Sequence, residues 1–228
     1  MKSRDRKRWL VIGVSVCTLI AVRTNSLAAR MLIVALSLGH SGGLVNAGEQ
    51  QSGVNFPTSC SDDAQTIFEE GLNLLHHMMY NQADRTFNEG INNWPECAML
   101  HWGVAMSKFQ PVRPGVPSED AISAGRKAVS SMNSIDNVSA LERSFANTVS
   151  AFYKTENVGY RDRIAAWASA QETAYNQFKD DVDTTAFYAL SLLATAPRGD
   201  STFGQQRKAG RILETLNKTT TFHPGVYH

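Results

Sequence analysis

The side chains best suited to chemistry are histidines. Of the six in the chain, five lie beyond residue 75: His76, His77, His101, His223 and His228. Neutral imidazole is a common ligand for transition metals, and a metal centre needs three or four such groups within coordination distance. His76 falls at the end of one apolar-periodic stretch and His101 inside the next, while His223 and His228 bracket a Pro-Gly turn. If successive helices stack side by side, His76 and His101 can face one groove. The candidate metal ligands are therefore His76, His101, His223 and His228, and the chemistry would be ion binding or metal-assisted hydrolysis. In the competing reading His76 and His101 pack or hydrogen-bond on the groove wall, and His223 caps a helix ahead of Pro224. Single, widely separated histidines favour the competing reading, so no metal ligand, cofactor or catalytic residue is assigned. The chain also has no Gly-x-Ser-x-Gly, no Gly-rich phosphate loop, no His-Glu-x-x-His and no Cys-x-x-Cys. These absences lean against an enzyme without deciding the question, and a metal-dependent hydrolase stays as the alternative.

The N-terminus bears on where that chemistry would take place. Lys2, Arg4, Arg6, Lys7 and Arg8 precede an uncharged, mostly apolar run from Trp9 to Val22, and a second apolar run spans Met31 to Leu38. Val45-Asn46-Ala47 forms a small-residue cleavage site, so residues 1–47 read as an export signal. The alternative is an uncleaved anchor. Fourteen helical residues reach only about 21 Å, against a hydrocarbon core of roughly 30 Å. The second run leaves Met31 as an alternative start. Residues 1–47 carry seven of the 22 Lys and Arg and one of the 21 Asp and Glu, which leaves 15 against 20 and a net charge of −5. That balance argues against a nucleic-acid partner. Two cysteines remain after the signal, Cys60 and Cys97, each just ahead of a predicted first helix. In an exported chain an even pair suggests a disulfide, with two unpaired buried thiols as the alternative.

The elements that must position these residues are helical hairpins. In Ile67 to Pro95, the residues Ile67, Gly71, Leu74, Ala83, Phe87 and Pro95 occupy the slots of a tetratricopeptide repeat at the right offsets. Gly71 and Ala83 let two helices approach closely, Ile67, Leu74 and Phe87 fill the space between them, and Pro95 ends the unit. Glu70 stands where leucine is usual. Three more pairs follow. One opens at Cys97, with a proline-rich loop at 110–117 and Ser118 capping its second helix, whose packed face is Ala121, Ala124, Ala128 and Met132. The next opens with a Ser139/Glu142 capping box, and the last opens after Asp183. Trp94, Trp102 and Trp167 read as core. The small residues Ala83, Ala128, Ala174 and Ala209 are spaced 45, 46 and 35 apart, a degenerate repeat. The predicted fold is all-α, an α-solenoid of about four tetratricopeptide-like pairs over residues 61–228, with 48–60 as a flexible lead-in.

The segments FPTSC (Phe56–Cys60), ECAMLHWGVAMS (Glu96–Ser107), FYALSLLATAP (Phe187–Pro197) and HPGV (His223–Val226) resemble a family of exported bacterial tetratricopeptide-repeat proteins without an assigned activity. The resemblance implies a periplasmic or secreted protein, and further helix pairs after the His-Pro-Gly segment. On that basis the chain reads as an N-terminal portion that could close its open end by self-association, or as a fragment without a function of its own. The leading functional expectation is a scaffold whose concave groove binds a peptide or protein partner. The alternative is the metal-binding protein or metal-dependent hydrolase outlined above.

Overall fold

The computed structural model describes residues 53–228 apart from 114, 155–157 and 221. The export segment, its cleavage after Ala47 and the alternative anchor lie outside the described residues. All regular structure among the described residues is helical: α1 (Asp62–His76), α2 (Tyr80–Asn93), α3 (Ala98–Phe109), α4 (Glu119–Asn133), α5 (Ala140–Tyr153), α6 (Tyr160–Gln177), α7 (Val182–Ala194), α8 (Gly204–Leu216) and the single turn α9 (Pro224–Tyr227). None of these helices is long and apolar enough to cross a membrane.

The starts follow from local chemistry. Ser61, Ser118 and Ser139 accept hydrogen bonds from backbone N–H groups of α1, α4 and α5, and Ser139 with Glu142 forms a complete capping box. Each helix from α1 to α8 packs on its chain neighbours, and α3 also touches α1 and α5. Phe87 of α2 is fully buried against Gly71 and Gly103, where a Cβ would collide with its ring. Two glycines on different helices therefore make one slot for one aromatic ring. The α4 face is rotated from expectation: Ile122, Gly125, Ala128 and Met132 are buried, while Ala121 and Ala124 are only half-buried.

Helices α1, α3, α5 and α7 turn their large side chains toward one another. Trp102 (α3) lies 6.2 Å from Phe68 (α1), 5.4 Å from Phe145 (α5) and 5.5 Å from Phe187 (α7), centroid to centroid. These four rings are buried, so the faces expected to line an open groove are instead filled with core. The consequence is that α1 and α7, 107 residues apart between His76 and Asp183, meet directly.

Of the lead-in expected over 48–60, residues 48–52 lie outside the described residues, and residues 53–60 pack onto the helices. Phe56 is 0% exposed and packs edge-on against Phe68 and Phe145. Ser59 donates through N–H and Oγ to the buried Glu142 carboxylate at 2.9 and 2.5 Å. Cys60 and Cys97 form a disulfide joining this strap to the start of α3. Gly53 lies so close to the Phe222 carbonyl that a Cβ there would overlap it.

Candidate metal centre

His76 is the last residue of α1, and its side chain points inward because Leu72 and Leu75 hold that end of the helix against the core. Asp183 sits in the first turn of α7. Its neighbour Asp181 is the N-cap and accepts from Thr184 N at 2.7 Å, so the Asp183 carboxylate is free for another role. His223 precedes Pro224 in an extended conformation, which sets it ahead of the α9 turn. The three are 8%, 1% and 2% exposed.

Their ligand atoms converge. His76 Nε2 donates to Asp183 Oδ1 at 2.6 Å, and His223 Nε2 stands 3.2 Å from the same oxygen. One ligand atom from each of the three residues lies within 4.8 Å of the others. The His76 ring packs at 4.9 Å against Phe187 on one side and against His223 on another. Gly225 closes the cradle: a Cβ there would lie 2.5 Å from His76 Nδ1.

Two features mark the cluster as more than packing. His223 is buried, and although its Nε2 stands 3.2 Å from Asp183 Oδ1, its Nδ1 has no hydrogen-bond partner among the described residues. An unpaired buried polar atom costs roughly 1–3 kcal/mol, so such atoms are rare without a role. Asp183 is a buried carboxylate with no lysine or arginine paired to it among the described residues. Burial alone would raise its pKa, but the two imidazoles together outweigh that and hold the carboxyl well below the usual range. Burial pushes the His76 pKa down, against the opposing pull of Asp183. The favoured state is thus an ionised carboxylate facing a neutral imidazole, which is the protonation state a metal requires.

The spacing fits an ion. Ligands about 2.0–2.1 Å from a tetrahedral zinc are roughly 3.3 Å apart, so small outward shifts would admit one. Two imidazoles and a carboxylate suit zinc, iron(II), copper(II) and nickel(II) rather than calcium or magnesium.

Of the expected ligands the structure brings only His76 and His223 together. His101 is on α3 but donates through Nε2 to the Pro95 carbonyl at 2.8 Å, a helix-end hydrogen bond, and is not a ligand of this cluster. His228 meets His77 instead, Nε2 to Nδ1 at 2.7 Å, on the surface. Asp183 was missed because the sequence pattern starts α7 after it. The surplus of two aspartates at one helix start, Asp181 and Asp183, was the available signal.

An open groove lies elsewhere, between α6, α7 and α8. It has a volume of 890 Å³ and is lined in part by Tyr175, Lys179, Tyr188, Lys208 and Arg211. Tyr175 and Tyr188 stack at 4.5 Å, and Lys208 donates to Tyr188 Oη at 2.6 Å. Neither a known protein family, nor a curated protein, nor a solved structure matches the chain. The molecule is defined by its all-helical architecture and its buried two-histidine, one-aspartate cluster.

Proposed function

We propose that the protein is an exported helical-repeat protein that binds a divalent transition-metal ion through His76, Asp183 and His223. The observation that supports it most is the convergence of His76 Nε2 and His223 Nε2 on one buried Asp183 oxygen, at 2.6 and 3.2 Å, with no lysine or arginine paired to that carboxylate among the described residues. An ion would supply that charge and tie α1, α7 and α9 together. Three protein ligands leave a fourth tetrahedral position, as hydrolytic sites require, but no side chain of this cluster remains uncommitted to act as a base. Metal binding rather than hydrolysis is therefore the reading. The repeat and solenoid assignment draws support from the eight helices packed in chain order and from the Gly71–Phe87 slot. The export assignment draws support from the disulfide.

The test is metal analysis of the full chain, purified without a polyhistidine tag or chelator, followed by zinc titration after chelator treatment. Tight binding in the wild type that disappears in His223→Ala and in Asp183→Ala is expected. Tight binding that persists in both variants would refute the assignment.

A second reading, a peptide-binding scaffold, rests on the α6–α8 groove, whose volume falls in the range of ligand sites. Loss of a display-selected peptide on Arg211→Glu would favour it. Peptides that bind the variant equally well would count against it.

A further inference from the structure

We propose that His77 and His228 form a second, exposed site for the same class of ion, and that an ion held there clasps the C-terminal end of α9 to the C-terminal end of α1. The two rings come from positions 151 residues apart, yet His77 Nδ1 and His228 Nε2 are 2.7 Å apart with rings nearly perpendicular at 80°. One of these nitrogens is a donor and the other an acceptor in the ion-free pair. With both unprotonated, the two lone pairs face one another across this short gap. A separation of about 3.3 Å would accept a metal at imidazole bonding distance, so the rings need to part by about 0.6 Å and to turn toward a common point, which exposed side chains can do.

The backbone already holds both residues in place. His77 is the C-cap of α1, its N–H bonded to the Asn73 carbonyl at 3.1 Å, and His228 N–H bonds to the Pro224 carbonyl at 3.1 Å. A preorganised pair of imidazoles favours copper(II), nickel(II) and zinc, with water completing the shell. Two ligands in solvent bind more weakly and exchange faster than three that are buried.

The placement gives the site a consequence. α9 is one turn long, and of its four residues only Pro224 is buried. His223 holds its front end to His76, and His228 holds its rear end to His77. His76 is the last residue of α1 and His77 its cap, so α9 is gripped at both ends by one helix terminus. His76 and His228 also border the same small apolar pocket, with Gly225 between them. Filling the outer site would fix an element that its own apolar contacts hold only thinly. The outer site stands independently of the buried centre, since the two share no ligand.

Zinc titration of the untagged full chain by calorimetry, after chelator treatment, tests this. Two binding events are expected, a tight one and a weaker one. His77→Ala and His228→Ala, both surface changes, remove only the weaker event, while His223→Ala removes only the tight one. Amide exchange at Val226 and His228 slows as the weaker event saturates. A wild type without a weaker event, or a weaker event unchanged in both His77→Ala and His228→Ala, overturns the outer site. Loss of the tight event alone from the wild-type isotherm would overturn the buried centre and leave this inference standing.

Discussion

Replacing Gly225 by alanine probes the buried cluster without touching a ligand. The new methyl would lie 2.5 Å from His76 Nδ1 and 3.2 Å from the Ala186 methyl. An ordinary contact needs about 3.5 Å, so roughly 1 Å must be found. His76 cannot yield it, because its other nitrogen already lies 2.6 Å from Asp183. The α9 turn must lift instead, and His223 moves with it. Overpacking of this kind costs about 1–3 kcal/mol. Alanine recovers about 0.5–1 kcal/mol of that through its helix propensity. With chelator present, a net loss of about 0–2.5 kcal/mol is expected in urea unfolding. Displacing a ligand's support typically weakens metal affinity about 10- to 100-fold. With zinc at 100 times the wild-type Kd, the wild type gains about 2.7 kcal/mol and the variant only about 0.4–1.4 kcal/mol. The gap between the two proteins should therefore widen by about 1.3–2.3 kcal/mol when zinc is added. A Gly225→Ala protein that matches the wild type in chelator and gains as much from zinc would refute the cradle, and a wild type that gains nothing from zinc would refute the metal assignment.

Three further outcomes follow from the packing and the charges. Reducing the Cys60–Cys97 bridge, whose partners are 37 residues apart, should lower unfolding stability by roughly 4 kcal/mol in the chain-entropy model; an unchanged urea midpoint in reductant would contradict this. Gly103→Ala should cost about 1–3 kcal/mol because Phe87 fills the slot between Gly71 and Gly103, and Phe87→Leu in the same chain should restore part of it; a variant with the wild-type midpoint would show that the slot has slack. In chelator, stability should fall as pH drops below about 6.5, because the unfolded His76 takes up a proton there while the folded one, its pKa lowered by burial, does not. Asp183, whose folded pKa is depressed, adds a second loss that begins only below about pH 4. The first loss should shrink in His76→Asn, leaving a smaller part from His77, whose pKa burial and the nearby His228 also lower; an unchanged loss there would assign it to another group.

The helices were legible because their determinants are local. Ser61, Ser118 and Ser139 announce three helix starts, the prolines of 110–117 announce a loop, and Gly71 with Phe87 announces a close helix crossing. The cysteine pair was legible because the helix pairs, once placed, bring their starts together. The cluster was harder to read. Its members sit at 76, 183 and 223, and no short-range spacing connects them. Asp183 looked like a residue outside α7, since an aspartate at a helix start is ordinarily a cap; only the structure shows Asp181 filling that role. His101 was drawn in by its place on α3, where the nearby Pro95 carbonyl, outside any helix, gave it a simpler partner. The buried strap escaped notice because Val54 and Phe56 alternate with Gly53, Asn55 and Pro57, so two core residues were hidden among turn-forming and polar neighbours.

The close approach of Gly53 to Phe222 sets the mechanical character of the molecule. Tension applied through residues 53 and 228 enters the fold at a single corner, where the strap and α9 lie back to back. Such a load peels rather than shears: α9 leaves first, and the helix pairs feel the force only after His223 and His228 have let go of α1. If the proposed ions bind, the resistance of that corner is set in part by bonds to imidazole nitrogen, and the force at which the molecule begins to open then depends on which ions are dissolved around it.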